Sequence, residues 1–199
     1  TIMFLIIGFL MGLTAGFTVL TSQKFGAGKM DEMRQSVGNA ALLSVAISVI
    51  MTVGSMVGMR ALLTLMHTPE DIFQDSYTYI MIICGGIFAQ VLYNILASIL
   101  RALGNSKTPL YFLILAALLN VALDLLFIIV FHMGVAGAAW ATITAQGVSG
   151  LLCLVYIIKC VPELRLKRED WKFRPQIAKN EIVVGIPMGL QYSITAIGT

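Results

Sequence analysis

Five long apolar runs separated by short polar segments make up most of the chain, at residues 2–22, 35–59, 77–100, 109–131 and 135–158. A sixth apolar stretch opens at Ile182 ("IVVGIPMGLQYSITAIGT"). No charged residue falls between Arg34 and Arg60, or between Asp75 and Arg101. Each gap is about 25 residues, enough for a helix to cross a bilayer core of roughly 30 Å with some tilt. The pattern predicts five membrane-spanning helices and the start of a sixth. Composition agrees: 58% of the 199 residues are hydrophobic and 12% charged, against roughly one-quarter charged in a soluble domain. The mean hydropathy is +0.91, and the lipid bilayer is the expected surrounding.

The chain begins on Thr1 inside an apolar run, without an initiator Met, a basic n-region or a cleavage site, and stops at Thr199 in mid-span. The first run therefore does not read as a signal peptide. The expectation is a piece of a longer protein.

Charge sets the orientation. All the Lys and Arg but Arg60, of 13, lie in the connections after the first, third and fifth runs. The two intervening connections carry Arg60 beside Glu70, Asp71 and Asp75, and His132. Basic residues thus mark every second loop, and the positive-inside rule places those loops in the cytoplasm. The net charge of +3 is then explained by juxtamembrane anchors and argues for no nucleic-acid partner. Residues 161–180, with "KREDWKFRP", mix signs around Trp171 as an interfacial linker does.

Most other signals read as structure. "HTPEDI" and "SKTPL" predict helix starts capped by Thr68 and Thr108, with Pro69 and Pro109 at the first helical position. Glu70 and Asp71 then suit the positive end of a helix dipole. Gly8, Gly12 and Gly16, and the series Gly134, Gly137, Ala138, Ala141 and Ala145, form small-residue stripes for close helix packing in lipid. "FGAGK" lacks the glycine spacing and Lys-Ser/Thr ending of a phosphate loop, and no strand precedes it. Cys84, Cys153 and Cys160 have no metal spacing and read as small apolar residues.

Asp124, in "NVALDLLFII", is the exception. A carboxylate inside a span is costly unless it is paired, protonated or facing a wet cavity. Asp124 lies seven residues before Phe131, about 10 Å at 1.5 Å per residue, too far for so short a side chain to reach the interface. Asn120, at i−4, shares its face. The turn "HMGVAG" returns the next run antiparallel, which brings Thr142 to a similar depth. Asn120, Asp124 and Thr142 make an all-oxygen set with one formal charge, suited to Na⁺ or to a proton on Asp124. No nucleophile–base pair and no His/Cys metal site accompanies it, so no enzymatic activity and no other cofactor are expected.

"SQKFGAGK", "LRALGNSKTPL", "NVALDLLFI" and "GVAGAAWAT", in this order and spacing, resemble the first half of a multidrug and toxic compound extrusion (MATE) transporter, nearest the DinF-like prokaryotic branch. The resemblance runs over essentially the whole chain. It implies an all-α polytopic membrane protein of twelve helices in two six-helix lobes. Residues 1–158 would be helices two to six of the N-terminal lobe, residues 159–180 the cytoplasmic inter-lobe linker, and residues 181–199 the start of helix seven. Helix one and the rest of the C-terminal lobe would then be partners in the same transporter. The resemblance assigns the N-lobe cation site to Asn120, Asp124 and Thr142, and makes Tyr79 and Asn94 of helix four cavity polar groups. Some branches of the family carry an essential acid on helix seven, and 182–199 contains none. The expected function is Na⁺- or H⁺-coupled antiport that exports cationic lipophilic compounds across the cytoplasmic membrane. A lipid-linked precursor flippase of the related architecture is the alternative, although no span holds the Arg or Lys its pyrophosphate would require. A scaffold or sensor without transport would need no buried acid.

Overall fold

A computed structural model describes the chain from residue 2 to residue 198. Seven α-helices follow one another: α1 (Ile2–Gly26), α2 (Met30–Leu65), α3 (Glu70–Gly85), α4 (Ile87–Ala102), α5 (Lys107–Asp124), α6 (Val135–Cys160) and α7 (Pro175–Ile197). A π-helical turn, Leu125–Val130, continues α5, and a 3₁₀ turn, Pro162–Leu164, follows α6. Four helical stretches are long and apolar enough to cross a membrane: Met3–Gly26, Met30–Leu65, Lys107–Val130 and Val135–Cys160. The pair α3 and α4 makes a fifth if taken together.

That pair corrects the expectation of one continuous helix over 77–100, because α3 and α4 bend by 48° at the Gly85–Gly86 step. At that step α6 comes close: a Cβ at Gly86 would collide with the Ile143 side chain of α6. The kink and the missing side chain together let α6 approach. The run at 109–131 is also not uniform, since its last turns are π-helical from Leu125. α2 outruns its apolar run at both ends. At its start Glu32 pairs with Lys24 and Lys29, and Asp31 with Arg34, so good helix formers extend the helix past the hydrocarbon.

Glycine or histidine in the left-handed conformation stops α1, α2 and α4. At Gly28, His67 and Gly104 φ is 72°, 53° and 84°. In each case the following N–H returns to the carbonyl five residues earlier: Lys29 to Lys24 at 3.0 Å, Thr68 to Leu63 at 3.3 Å, Asn105 to Leu100 at 2.9 Å. This is the Schellman arrangement, which satisfies carbonyls the helix end leaves open. Gly28 of "FGAGK" and Gly104 of "LGNSK" are accounted for by it. The expected threonine caps are corrected. Pro69 itself takes the cap position before α3. α5 starts earlier, at Lys107, because a proline without an N–H is tolerated in a first turn; there the Asn105 carboxamide oxygen accepts the Thr108 N–H at 3.1 Å.

The packing turns its polar atoms inward. Thr14, Thr18, Thr21, Ser36, Asn39, Ser44 and Gln90 are buried, while Val57, Leu118, Leu151 and Ile158 stand out from the surface. Such extensive exposed apolar surface suits lipid. The first glycine stripe meets α7: a Cβ at Gly12 would overlap the Met188 carbonyl, and one at Gly16 the Cα of Gly185. The linker is fastened to α2 rather than loose. Gly38 lets the Asp170 carbonyl come close, and Asn39 accepts the Arg174 N–H at 2.9 Å. Helix α7 begins at Pro175, not near 181, because Pro fixes a helical φ and needs no N–H in the first turn.

Candidate functional site

The α5–α6 hairpin turns through His132 and Gly134, with φ of 51° and 61°. It sets the two helices antiparallel and brings Asn120 against Thr142. The Asn120 amide donates to the Thr142 hydroxyl at 3.2 Å, and that hydroxyl donates to the Ala138 carbonyl one turn back at 3.0 Å. Thr142 is therefore held in one rotamer, and Asn120 keeps its amide oxygen as an acceptor. A cavity of about 200 Å³ opens here, lined by Leu113, Ala116, Ala117, Asn120, Thr142, Ala145 and Gln146.

Asp124 is the last residue of α5, where the α-helix passes into the π-helical turn. It is half-buried, and its Oδ1 is buried without a hydrogen-bond partner. No salt bridge reaches it among the described residues. A buried carboxylate oxygen left open is an anomaly that asks for a proton, a cation or a water. π-helical turns recur at functional sites because the extra residue re-aims side chains and leaves the ladder irregular. The donor set of one carboxylate, one amide oxygen and one hydroxyl fits a hard cation such as Na⁺. Among the described residues no three His, Cys, Asp or Glu side chains cluster to hold a metal, so any ion here would draw on Asn120, Thr142 or main-chain oxygens.

Tyr79 and Asn94 do not join this cluster, and they sit on different helices. Tyr79, on α3, borders a recess of about 500 Å³ with Asp75, Ser76 and Val135. Asn94, on α4, borders a separate cavity of about 440 Å³ with Thr18, Ser22, Ser98, Arg101 and Tyr192. The Asn94 amide is turned back to the Gln90 carbonyl at 2.8 Å.

Three polar residues escaped the sequence reading. Gln146, one turn beyond Thr142, lines the same cavity with its Oε1 buried and unpartnered. Ser149 follows on α6, its hydroxyl equally unpartnered. Glu181, on α7, is 0% exposed. The signal for Glu181 was Arg174–Pro175, which starts α7 early enough to carry residue 181 into its second turn.

Lipid-facing apolar surface around an inward-turned polar seam defines a polytopic helical membrane protein. The MatE family model matches residues 1–126, and the chain belongs to that family. It is 36% identical over 196 residues to the probable multidrug resistance protein YpnP of Bacillus subtilis, covering 98% of this chain and 43% of that protein. With the probable multidrug resistance protein NorM of Thermotoga maritima it shares 25% identity over 199 residues, covering 95% and 41%. In fold it matches the inward-facing conformation of a MATE family transporter of the MOP superfamily, with a TM-score of 0.91 at 24% identity over 98% of this chain and 45% of that one. An outward-facing conformation matches with a TM-score of 0.90. The chain spans less than half the length of these relatives.

Proposed function

We propose that this chain is the greater part of the N-terminal lobe of a cation-coupled antiporter, which exports cationic lipophilic compounds across the cytoplasmic membrane. The observation that carries the reading is the open, buried oxygen of Asp124 at the end of α5, one turn from the Asn120–Thr142 pair. Membership of the MatE family, with relatives named as multidrug resistance proteins, supplies the transport context. A lipid-linked precursor flippase finds no support among the relatives.

Asp124 binds the ion, Na⁺ or H⁺, with Asn120 and Thr142 as oxygen donors, and loses its charge in doing so. With that charge lost, the transporter holds a cationic substrate less tightly, and the substrate leaves outward. Tyr79 and Asn94 serve as polar contacts along the substrate path. The ion must favour one lobe packing by several kcal/mol, since moving a population from 1:99 to 99:1 takes about 5.5 kcal/mol. The irregular hydrogen bonding of the π-helical turn is the element such a bias would act on. Helix one and the C-terminal lobe complete the transporter.

The test is dye efflux from vesicles holding the full-length protein, under an imposed Na⁺ gradient and then an imposed pH gradient. Efflux that follows one gradient and is lost in Asp124→Asn, with folding intact, supports the reading. Equal efflux from both proteins contradicts it.

A further inference from the structure

A fully buried acid lies on α7, away from α5. Glu181 is 0% exposed, and its neighbours Ser36 and Thr21 are 1% and 0% exposed. They come from three helices: Thr21 from the last turns of α1, Ser36 from the second turn of α2, Glu181 from the second turn of α7. The hydroxyls form a chain, Thr21 to Ser36 at 3.0 Å and Ser36 donating to the Glu181 Oε1 at 2.9 Å. Oε2 of the same carboxyl is buried and has no partner.

Among the described residues no positive charge pairs with it. On α1, Lys24 is engaged with Glu32; just before α2 Lys29 also pairs with Glu32, and on α2 Arg34 pairs with Asp31. Arg174 and Lys179, before and beside Glu181 in the chain, form no ion pair with it. Burial without a charged partner disfavours the ionised form of such a carboxyl. The residue lies in the basic opening turns of α7, ahead of the apolar run and outside the stretches apolar enough to span. Burial pushes its carboxyl up to about 8, against the smaller opposing pull of the Ser36 hydrogen bond.

We propose that Glu181, Ser36 and Thr21 form a binding site for one small hard cation, a proton or Na⁺, separate from Asp124, whose occupancy fastens α7 to α1 and α2. Four oxygens on three side chains, with one formal charge and sealed from water, suit such a cation and no larger ligand. Because the site spans the joint between α7 and the rest of the lobe, emptying it leaves an unpaired charge in that joint. The packed state holds the proton more tightly than a solvated side chain does. Packing is therefore favoured below the ordinary carboxyl range and weakens as pH rises through about 8.

The test uses the full-length transporter in lipid nanodiscs, spin-labelled through Gln23→Cys on α1 and Asn180→Cys on α7, both exposed, with Cys160 replaced by Ser. Distances are recorded from about pH 5 to about pH 9, in K⁺ buffer and again with Na⁺ added. The wild type is expected to keep one short distance at low pH and to lose it as pH rises through about 8. Glu181→Gln keeps the short distance throughout. Na⁺ restoring it at high pH names Na⁺ as the occupant, and no effect of Na⁺ names the proton. A distance that ignores pH overturns the inference, as does a Glu181→Gln protein that responds like wild type. A response lost in Asp124→Asn but kept in Glu181→Gln assigns the titration to Asp124 and overturns it too. If Glu181→Gln does not fold, Ser36→Ala decides: loss of its hydrogen bond should move the midpoint to higher pH, and an unmoved midpoint removes the site.

Discussion

Thr142 is the residue whose role the geometry makes most specific. Its hydroxyl accepts from Asn120 and donates to Ala138, so it fixes the orientation of the amide, and in the proposed site it is one of the oxygen donors. Thr142→Val keeps the shape and removes the hydroxyl. Losing one such contact is worth about 1 kcal/mol, or roughly a fivefold weaker apparent ion affinity. The ion dependence of efflux should shift by that factor with its maximum rate retained. A shift of a hundredfold, or none, would show that Thr142 is not an ordinary member of the site. Asp124 and Asn120 could be found from sequence because a carboxylate in a lipid-spanning run violates a strong rule, and because i−4 spacing needs no tertiary knowledge. Gln146 and Ser149 could not, and for Glu181 the sequence marks only the early start of α7 at Arg174–Pro175, not the burial. An amide or a serine in a span violates nothing, and Glu181 is hidden only by helices distant in sequence.

At the scale of elements, the two glycine contacts differ in what they meet. Gly86 faces a side chain, Ile143, whereas Gly12 faces the Met188 backbone. Gly86→Ala should cost about 1–3 kcal/mol as an overpacked contact, and combining it with Ile143→Ala should cost less than the sum of the two. Gly12→Ala has no side chain to push aside and should force α1 from α7. Its denaturation midpoint in the solubilised full-length protein should fall further than that of Gly86→Ala, and no truncation on α7 should rescue it. A Gly12→Ala protein as stable as wild type would mean that α1 and α7 do not pack as described. The helices themselves were legible because apolar length alone defines a span. The break in the third was not, since two glycines in a span read equally as close packing, and what meets Gly86 is Ile143 of α6, distant in sequence. The π-helical turn in "LLFIIV" has no local signature at all. The starts of α3 and α5 were misplaced by a residue or two because proline and threonine can each occupy neighbouring positions of a first turn.

For the whole molecule, the alternation of basic loops predicts a sidedness. Cys160 closes α6 at the basic end and is exposed, whereas Cys84 and Cys153 are buried. A membrane-impermeant maleimide should label Cys160 of the full-length protein in inside-out vesicles and not in right-side-out ones. Cys84 and Cys153 should react only after denaturation. Labelling of Cys160 from outside would invert the orientation and with it the direction of coupling.

Antiport is reciprocal: an ion gradient that drives substrate implies a substrate gradient that drives the ion. The most direct measurement is ion movement into vesicles holding the full-length protein when only a gradient of a cationic dye is imposed. Wild type is expected to take up Na⁺ or H⁺ against no gradient of its own while dye leaves, and Asp124→Asn is expected not to. Dye flow without ion movement, or equal ion movement in both proteins, would contradict it.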